Sequence, residues 1–185
     1  MSEARIMEMI GAAIGREGGY SNHPADRGGP TRWGVTEQVA RAYGYRGDMR
    51  TFPREEAVAV YRSRYWVQPG FHRVGQVYER VGEELFDTGI NMGPGVAGRF
   101  LQRSLNVLNR GAEDYPDVPV DGNVGPMTLH ALERYKARRG AAGEAVLLKA
   151  LEALQGARYI EISEGRPANE AFTYGWLANR VGLAA

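Results

Sequence analysis

Glu17 is the residue in this sequence whose position best suits acid–base chemistry. It follows Ile10, Ala13 and Ile14 by seven, four and three residues, so a first helix would place all four on one apolar face. Burial on that face and the negative end of the helix dipole would both raise the pKa of its carboxyl. An un-ionised carboxylic acid can protonate a leaving oxygen. In the alternative interpretation, Glu17 turns outward or pairs with an arginine, namely Arg5, Arg16 or Arg27.

Asp26 supplies a second carboxyl nine residues later, in a glycine-rich loop that could fold back over the end of the helix. Two carboxyls on opposite sides of a cleft are the minimal equipment for glycoside hydrolysis, in which the second one holds or activates water. Asp26 is equally well explained as an Asx-type turn residue. The hydroxyl of Thr31 could position water, whereas Thr36 is better explained as the N-cap of a second helix.

Aromatic residues are concentrated in the first half of the chain, and their flat faces stack well on sugar rings. Tyr20, Trp33 and Tyr65 are the candidate sugar contacts among them, and Asn91 is a further candidate. Core packing would account for half or more of the aromatic group, which also includes Tyr43, Tyr45 and Trp66.

Helical periodicity dominates the chain and predicts a mainly α protein. After the first helix, residues 21–36 are polar and glycine-rich, which predicts an irregular loop or a small β-hairpin. A polar loop is predicted at 110–125, and Gly93-Pro94-Gly95 divides the chain into two parts, 1–92 and 93–185. Further helices are predicted at about 36–43, 54–65, 77–91, 96–108, 127–138, 143–164 and 170–180.

Composition excludes several classes of function. The 23 Lys+Arg and 22 Asp+Glu leave a net charge of +1, which gives no basic surface for nucleic acid. The chain has no cysteine, and its histidines (His23, His72 and His130) lack ligand spacing, so we expect no metal or cofactor. No apolar stretch is long enough to cross a membrane, and residues 1–10 lack the apolar core of a signal peptide. We therefore expect synthesis in the cytoplasm and no membrane insertion.

Three blocks of the sequence resemble the signature of glycoside hydrolase family 108. They are Glu17-Gly18-Gly19-Tyr20, Asp26-Arg27-Gly28-Gly29-Pro30-Thr31 and Trp33-Gly34-Val35-Thr36. The resemblance continues through Val60-Tyr61-Arg62, Tyr65-Trp66, Phe86-Asp87 and Asn91-Met92-Gly93. Members of that family are N-acetylmuramidases, found as phage endolysins and as bacterial secretion-activator proteins.

The second half is similar to the peptidoglycan-binding region that accompanies this catalytic part. The matching segments are 101–106, 120–126, 128–129 and 175–181. The resemblance implies a lysozyme-like helical bundle with a catalytic part at 1–92 and a peptidoglycan-binding helical part at 93–185 packed against it.

The resemblance also implies a reaction, hydrolysis of the β-1,4 bond between N-acetylmuramic acid and N-acetylglucosamine. The family's catalytic glutamate corresponds to Glu17. By similarity to phage-type lysozymes, Asp26 and Thr31 take the water-positioning roles. The implied partner is the peptidoglycan strand, with a holin as the expected route to the periplasm and cell wall, and we expect a monomer.

Three other functions fit parts of the same pattern. A lytic transglycosylase would cut the same bond without water, often with a lone glutamate. A non-catalytic wall-binding module would need no acid at position 17, and an adaptor for secretion would act through protein contacts. The presence of Glu17, Asp26 and Thr31 favours the hydrolase.

Overall fold

The computed structural model describes residues 3–16, 19–22 and 29–182 of the chain. Glu17 and Asp26 lie outside the described residues. The backbone contacts divide the chain into two compact units, Met1–Gln68 and Pro69–Ala185. Both units are built mainly from helices, with one short hairpin after the first helix, which confirms the predicted fold class.

The first unit combines three α-helices with the hairpin and two shorter helical segments. Its elements are α1 Glu3–Arg16, β1 Thr31–Arg32, β2 Val35–Thr36, α2 Glu37–Ala42, a 3-10 turn at Met49–Thr51, α3 Arg54–Tyr61 and a π-helical segment at Arg62–Val67. Helix α1 contacts α3 with its apolar face, on which Ile6, Ile10, Ala13 and Ile14 are buried. The predicted stripe of α1 is therefore confirmed as far as Ile14.

Local sequence signals set the ends of α2. The Thr36 hydroxyl accepts a hydrogen bond from the amide of Val39 at 3.4 Å, so Thr36 is the N-cap, as predicted. Tyr43 follows the last helical residue, and Gly44 then adopts a positive φ of 95°, the backbone conformation that ends many helices.

The second unit is a helical bundle. Its elements are α4 Phe71–Val77, α5 Glu79–Met92, α6 Pro94–Leu108, α7 Pro126–Arg139, α8 Ala142–Glu164, a 3-10 turn at Pro167–Asn169 and α9 Glu170–Arg180. Helix α5 packs on α4, α6 and α8, and α8 also contacts α9. Proline occupies the first position of α6 and of α7, where its missing amide proton costs no helical hydrogen bond. Leu101, Leu105, Leu147 and Leu151 form part of the core.

The loop between α6 and α7 is fixed to α6 through Gln102, whose side chain is buried. Its amide donates to Asp121 at 2.8 Å and to the Asn123 carbonyl at 3.1 Å, and its oxygen accepts from the Gly122 amide at 2.8 Å. The Asp121–Pro126 motif, which resembles a peptidoglycan-binding sequence, thus has a structural role in holding this loop.

Candidate active site

The hairpin after α1 joins three of the sequence segments that were expected to carry function. Thr31 pairs with Thr36 and Arg32 with Val35 across the two strands. The backbones of Ser21 and Thr31 exchange two hydrogen bonds of 2.8 Å, which fixes the residue after Tyr20 beside the first strand. The described ends of the segment that holds Asp26 are therefore anchored on this hairpin.

Trp33 occupies the apex of the hairpin in an uncommon backbone conformation. Trp33 and Gly34 have φ values of 55° and 73°, as in a type I′ turn, whose first position normally holds Asn, Asp or Gly. The indole NH donates to the Phe52 carbonyl at 3.1 Å and holds the ring in place. A bulky residue in the left-handed region is strained, and such strain is concentrated at functional sites.

A cavity of about 300 Å³ opens beside the hairpin, within the first unit. One side is formed by the hairpin and α2, and the other by α3 and the π-helical segment. Its lining residues are Gly34, Val35, Thr36, Gln38, Val39, Val60, Tyr61, Arg64 and Tyr65.

Two tyrosines give the cavity an aromatic wall. The ring centres of Tyr61 and Tyr65 lie 5.4 Å apart. The central carbon of the Arg64 guanidinium lies 5.6 Å from the centre of the Tyr65 ring. Tyr65 belongs to the π-helical segment, whose wider turn is marked by a 2.9 Å hydrogen bond from the Gln68 amide to the Ser63 carbonyl. Short π-helical segments are frequent at functional sites. Tyr65 is thus a lining residue of this cavity, as a sugar contact would be.

The remaining predicted site residues have different surroundings. The Thr31 hydroxyl donates to the Gly29 carbonyl at 3.1 Å, and none of the residues that the structure describes donates a hydrogen bond to it. Tyr20 is exposed, with the Arg50 guanidinium 5.8 Å from its ring centre. Asn91 lies in the second unit, on α5, where its amide donates to the carboxylate of Asp87 at 3.0 Å. Their roles in binding or catalysis stay predictions.

No group of metal-ligating side chains that could hold an ion occurs within residues 3–16, 19–22 and 29–182. None of the helices in this part of the chain is long and apolar enough to cross a membrane.

Glu84 is a half-buried carboxyl that the sequence analysis missed. Burial raises its pKa to about 7, and the nearby charges of Asp87 and Glu152 act in the same direction. The Thr88 hydroxyl donates to Glu84 at 3.1 Å, and the buried Gln155 amide donates to Thr88 at 2.9 Å. Glu84 lies three residues after Val81 and four before Thr88, which are buried on α5, so helical spacing could have indicated that its carboxyl is partly buried. Glu84 belongs to the second unit and does not line the cavity of the first.

This pKa shift predicts a pH-dependent stability of the second unit. Folded Glu84 keeps its proton up to about pH 7, whereas the ordinary value is 4.5. Between these two values the folded chain binds more protons than the unfolded chain, so stability falls as the pH rises. We expect a loss of roughly 3 kcal/mol across this window, since one pKa unit corresponds to about 1.4 kcal/mol.

Urea unfolding of the wild type and of Glu84→Gln at several pH values measures this loss. Glutamine keeps an acceptor for Thr88 but does not titrate. The variant should therefore lose the fall of its unfolding free energy between about pH 4.5 and pH 7 that Glu84 causes. The matched control is Glu133→Gln, which removes an exposed carboxyl of α7 and should keep the wild-type slope. Equal slopes in the wild type and Glu84→Gln would contradict the assignment.

Comparisons with known proteins give family matches for both halves of the chain. Residues 10–93 match the family described as Glycosyl hydrolase 108, and residues 96–181 match the family described as Predicted Peptidoglycan domain. No curated protein sequence matches the chain. Among solved structures, SagA from Brucella abortus has 23% sequence identity and a TM-score of 0.67, over 96% of this chain and 90% of that chain. That likeness shows a shared fold. Residues 10–93, which contain the hairpin and the cavity, belong to glycoside hydrolase family 108, and the two family matches together identify the chain as a lysozyme-like, peptidoglycan-hydrolysing enzyme.

Proposed function

We propose that the enzyme is an N-acetylmuramidase that hydrolyses the β-1,4 bond between N-acetylmuramic acid and N-acetylglucosamine, with Glu17 as its general acid. The observation that carries the proposal is the apolar face of α1. Ile10, Ala13 and Ile14 are buried on this face, and α1 extends to Arg16, the residue before Glu17 in the chain. A carboxyl that continues this face would be partly desolvated, which favours the protonated form that an acid catalyst needs.

The proposed chemistry requires one proton donor and one water molecule. Glu17 donates its proton to the glycosidic oxygen as the bond to the muramic acid carbon breaks. A water molecule adds to that carbon through its oxygen and releases a proton to solvent, and Glu17 takes up a proton from solvent to regain its acid form. The leaving sugar thereby gains the hydrogen of one water molecule, and the muramic acid gains its hydroxyl. Asp26 orients this water or stabilises the positive charge of the oxocarbenium-like transition state. The Thr31 hydroxyl oxygen accepts a hydrogen bond from the water and helps to hold it.

The sugar contacts that we propose surround the cavity and the hairpin. Tyr65 lines the cavity, Trp33 is held at the hairpin apex, and Tyr20 precedes the strand-bridging residue Ser21. A cavity of about 300 Å³ is at the lower end of the range for ligand pockets, which fits one sugar unit of the strand. Asn91 is retained as a further proposed contact.

The proposed place of action is the cell wall. Peptidoglycan is the polymer named by the family that residues 96–181 match, and the enzyme would act on it as a monomer from the periplasmic side. We infer that a holin-type pore supplies the route in a phage setting. Passage of secreted cargo through a loosened wall is the corresponding host setting.

Digestion of purified peptidoglycan with mass analysis of the released fragments tests the proposed reaction. We expect fragments that end in a reducing N-acetylmuramic acid and carry the full mass of added water. Fragments that are one water lighter would instead identify a lytic transglycosylase. Binding without released fragments would identify a wall-binding module or an adaptor, and either result would overturn the proposal.

A further inference from the structure

Arg32 presents a buried hydrogen-bond donor that has no acceptor. Its side chain is half-buried in β1, and the Nε atom is fully buried without a hydrogen-bond partner among the residues that the structure describes. No salt bridge joins its guanidinium to a carboxylate within that part of the chain. Buried polar groups in folded proteins are nearly always hydrogen-bonded, so an orphaned one calls for an explanation.

The guanidinium is held by its neighbour in the chain. Its central carbon lies 5.4 Å from the centre of the Trp33 ring, within cation–π range. Trp33 is in turn fixed by the hydrogen bond to Phe52 and by its left-handed turn conformation. Arg32 is therefore a preorganised cation, supported by a ring whose own backbone conformation is unfavourable. This arrangement costs stability and leaves donors unused, which points to a ligand.

The chemistry of a guanidinium restricts what that ligand can be. Its planar array of donors matches a carboxylate in two parallel hydrogen bonds. Peptidoglycan carries carboxylates of two kinds, those of its stem peptides and the lactyl carboxylate of muramic acid where the peptide has been removed. Both kinds are attached to muramic acid, directly or through the stem peptide, and the proposed reaction breaks the glycosidic bond of that sugar.

We propose that Arg32, stacked on Trp33, binds a carboxylate of the muramic acid unit and so orients the glycan strand on the hairpin. The proposal rests on the proposed function for the identity of the polymer. It makes Arg32 a specificity-determining residue, one that distinguishes peptidoglycan from uncharged glycans of the same backbone.

Binding is measured by co-sedimentation with four polymers, in a Glu17→Gln background that prevents cleavage. The polymers are intact peptidoglycan, intact peptidoglycan with its carboxyls amidated, amidase-stripped glycan strands, and stripped strands with their carboxyls amidated. The intact pair reports the stem-peptide carboxylates and the stripped pair reports the lactyl carboxylate. Arg32→Gln is compared with Arg32→Lys, which keeps the charge but loses the planar donor array.

The parent protein here is Glu17→Gln, which retains Arg32. In one of the two polymer pairs, we expect amidation to weaken its binding roughly three- to tenfold, the range of a partly exposed charge-assisted hydrogen bond. Arg32→Gln should bind the charged polymer as weakly as the amidated one, with Arg32→Lys between the two. The matched control is Arg54→Gln, which removes an exposed guanidinium that lies beside Gly11 of α1 in the same unit. It should keep the full response to amidation.

Equal responses to amidation in the parent protein and in Arg32→Gln would overturn the proposal. Arg32→Gln removes no hydrogen bond that the structure shows and removes an orphaned buried donor, so its unfolding midpoint should not fall below that of the parent protein. If the Glu17→Gln background still cuts the polymer, soluble muropeptides appear in the supernatants of the same tubes. That result counts against the proposed function and is read separately from the response to amidation.

Discussion

Glu17→Gln is expected to reduce the rate of peptidoglycan hydrolysis by roughly 10²–10⁴-fold, the usual contribution of a general acid or base. Glutamine has nearly the same shape as a protonated glutamic acid, so it should fit the same surroundings. It has no acidic proton to give to the glycosidic oxygen. The loss should therefore fall on the turnover rate, measured as reducing ends released from purified peptidoglycan.

The control for this variant is Glu8→Gln, on the same helix. Glu8 is exposed and pairs with Arg5 at 3.0 Å, an exposed ion pair of small energetic weight. Its replacement should leave hydrolysis within about twofold of the wild type, since such a pair contributes roughly 0–1 kcal/mol to stability and nothing to the reaction. Both variants should still sediment with peptidoglycan. Wild-type hydrolysis by Glu17→Gln would remove Glu17 from the mechanism.

Gly98→Ala is expected to lower the stability of the second unit. A Cβ atom at Gly98 of α6 would lie 2.2 Å from the carbonyl oxygen of Gly122, and that neighbour is backbone. Gly122 itself has a positive φ of 87°, so it cannot move without disturbing the turn. We expect a loss of about 1–3 kcal/mol, as for overpacking of a tight contact. The measurement is a guanidinium unfolding curve.

Gly156→Ala is the matched control, because Gly156 is also a glycine inside a long helix, α8. A Cβ atom there would meet its nearest neighbour, a methyl group of Val181, at 3.7 Å, which is ordinary van der Waals contact. The helix should gain up to about 1 kcal/mol from the higher helical propensity of alanine. If both variants lost the same stability, the close approach of α6 to the loop would not be what limits Gly98.

The loop that Gly98 supports explains why part of the peptidoglycan-binding resemblance concerns structure. Asp121 accepts hydrogen bonds from the Asn123 amide and from Gln102, and these bonds hold its pKa below the ordinary value. Displacement of the loop in Gly98→Ala should therefore break the hydrogen bonds between Gln102 and the loop and expose the Gln102 side chain. The Asp121–Pro126 motif therefore holds the loop between α6 and α7 in place, whether or not it also contacts glycan.

Features with a local cause could be predicted from the sequence. The apolar stripe of α1 and the Thr36 cap each depend on residues that are close in sequence, and the polar composition of residues 110–125 predicts a loop there. The predicted helices at 77–91, 127–138, 143–164 and 170–180 agree with α5, α7, α8 and α9 within two residues at each end. Capping, turn and proline signals act over a few residues, so a single sequence shows them.

Features with a tertiary cause could not be predicted in the same way. Helix α4 was missed because Gly70 and Gly75 weaken its helical pattern, and burial of Phe71 and Val74 compensates for them only in the folded unit. The π-helical course of Arg62–Val67 is likewise invisible in an α-helical pattern.

Within the candidate site, residue types were predictable but their environments were not. The sequence identifies Trp33 as an aromatic residue but shows neither its left-handed backbone nor the hydrogen bond from its indole to the Phe52 carbonyl, nineteen residues away. Arg32 carried no sequence signal at all, since the lack of a partner for a donor is a property of the folded surroundings.

The leaving-group dependence of Glu17→Gln tests the central claim most directly. A glycoside with a good leaving group, such as a dinitrophenolate, needs no protonation of the departing oxygen, whereas peptidoglycan does. We predict that the variant loses most of its activity on peptidoglycan but approaches the wild-type rate of bond cleavage on the dinitrophenyl glycoside of the same sugar. An equally large loss on both substrates would contradict the role of Glu17 as the general acid.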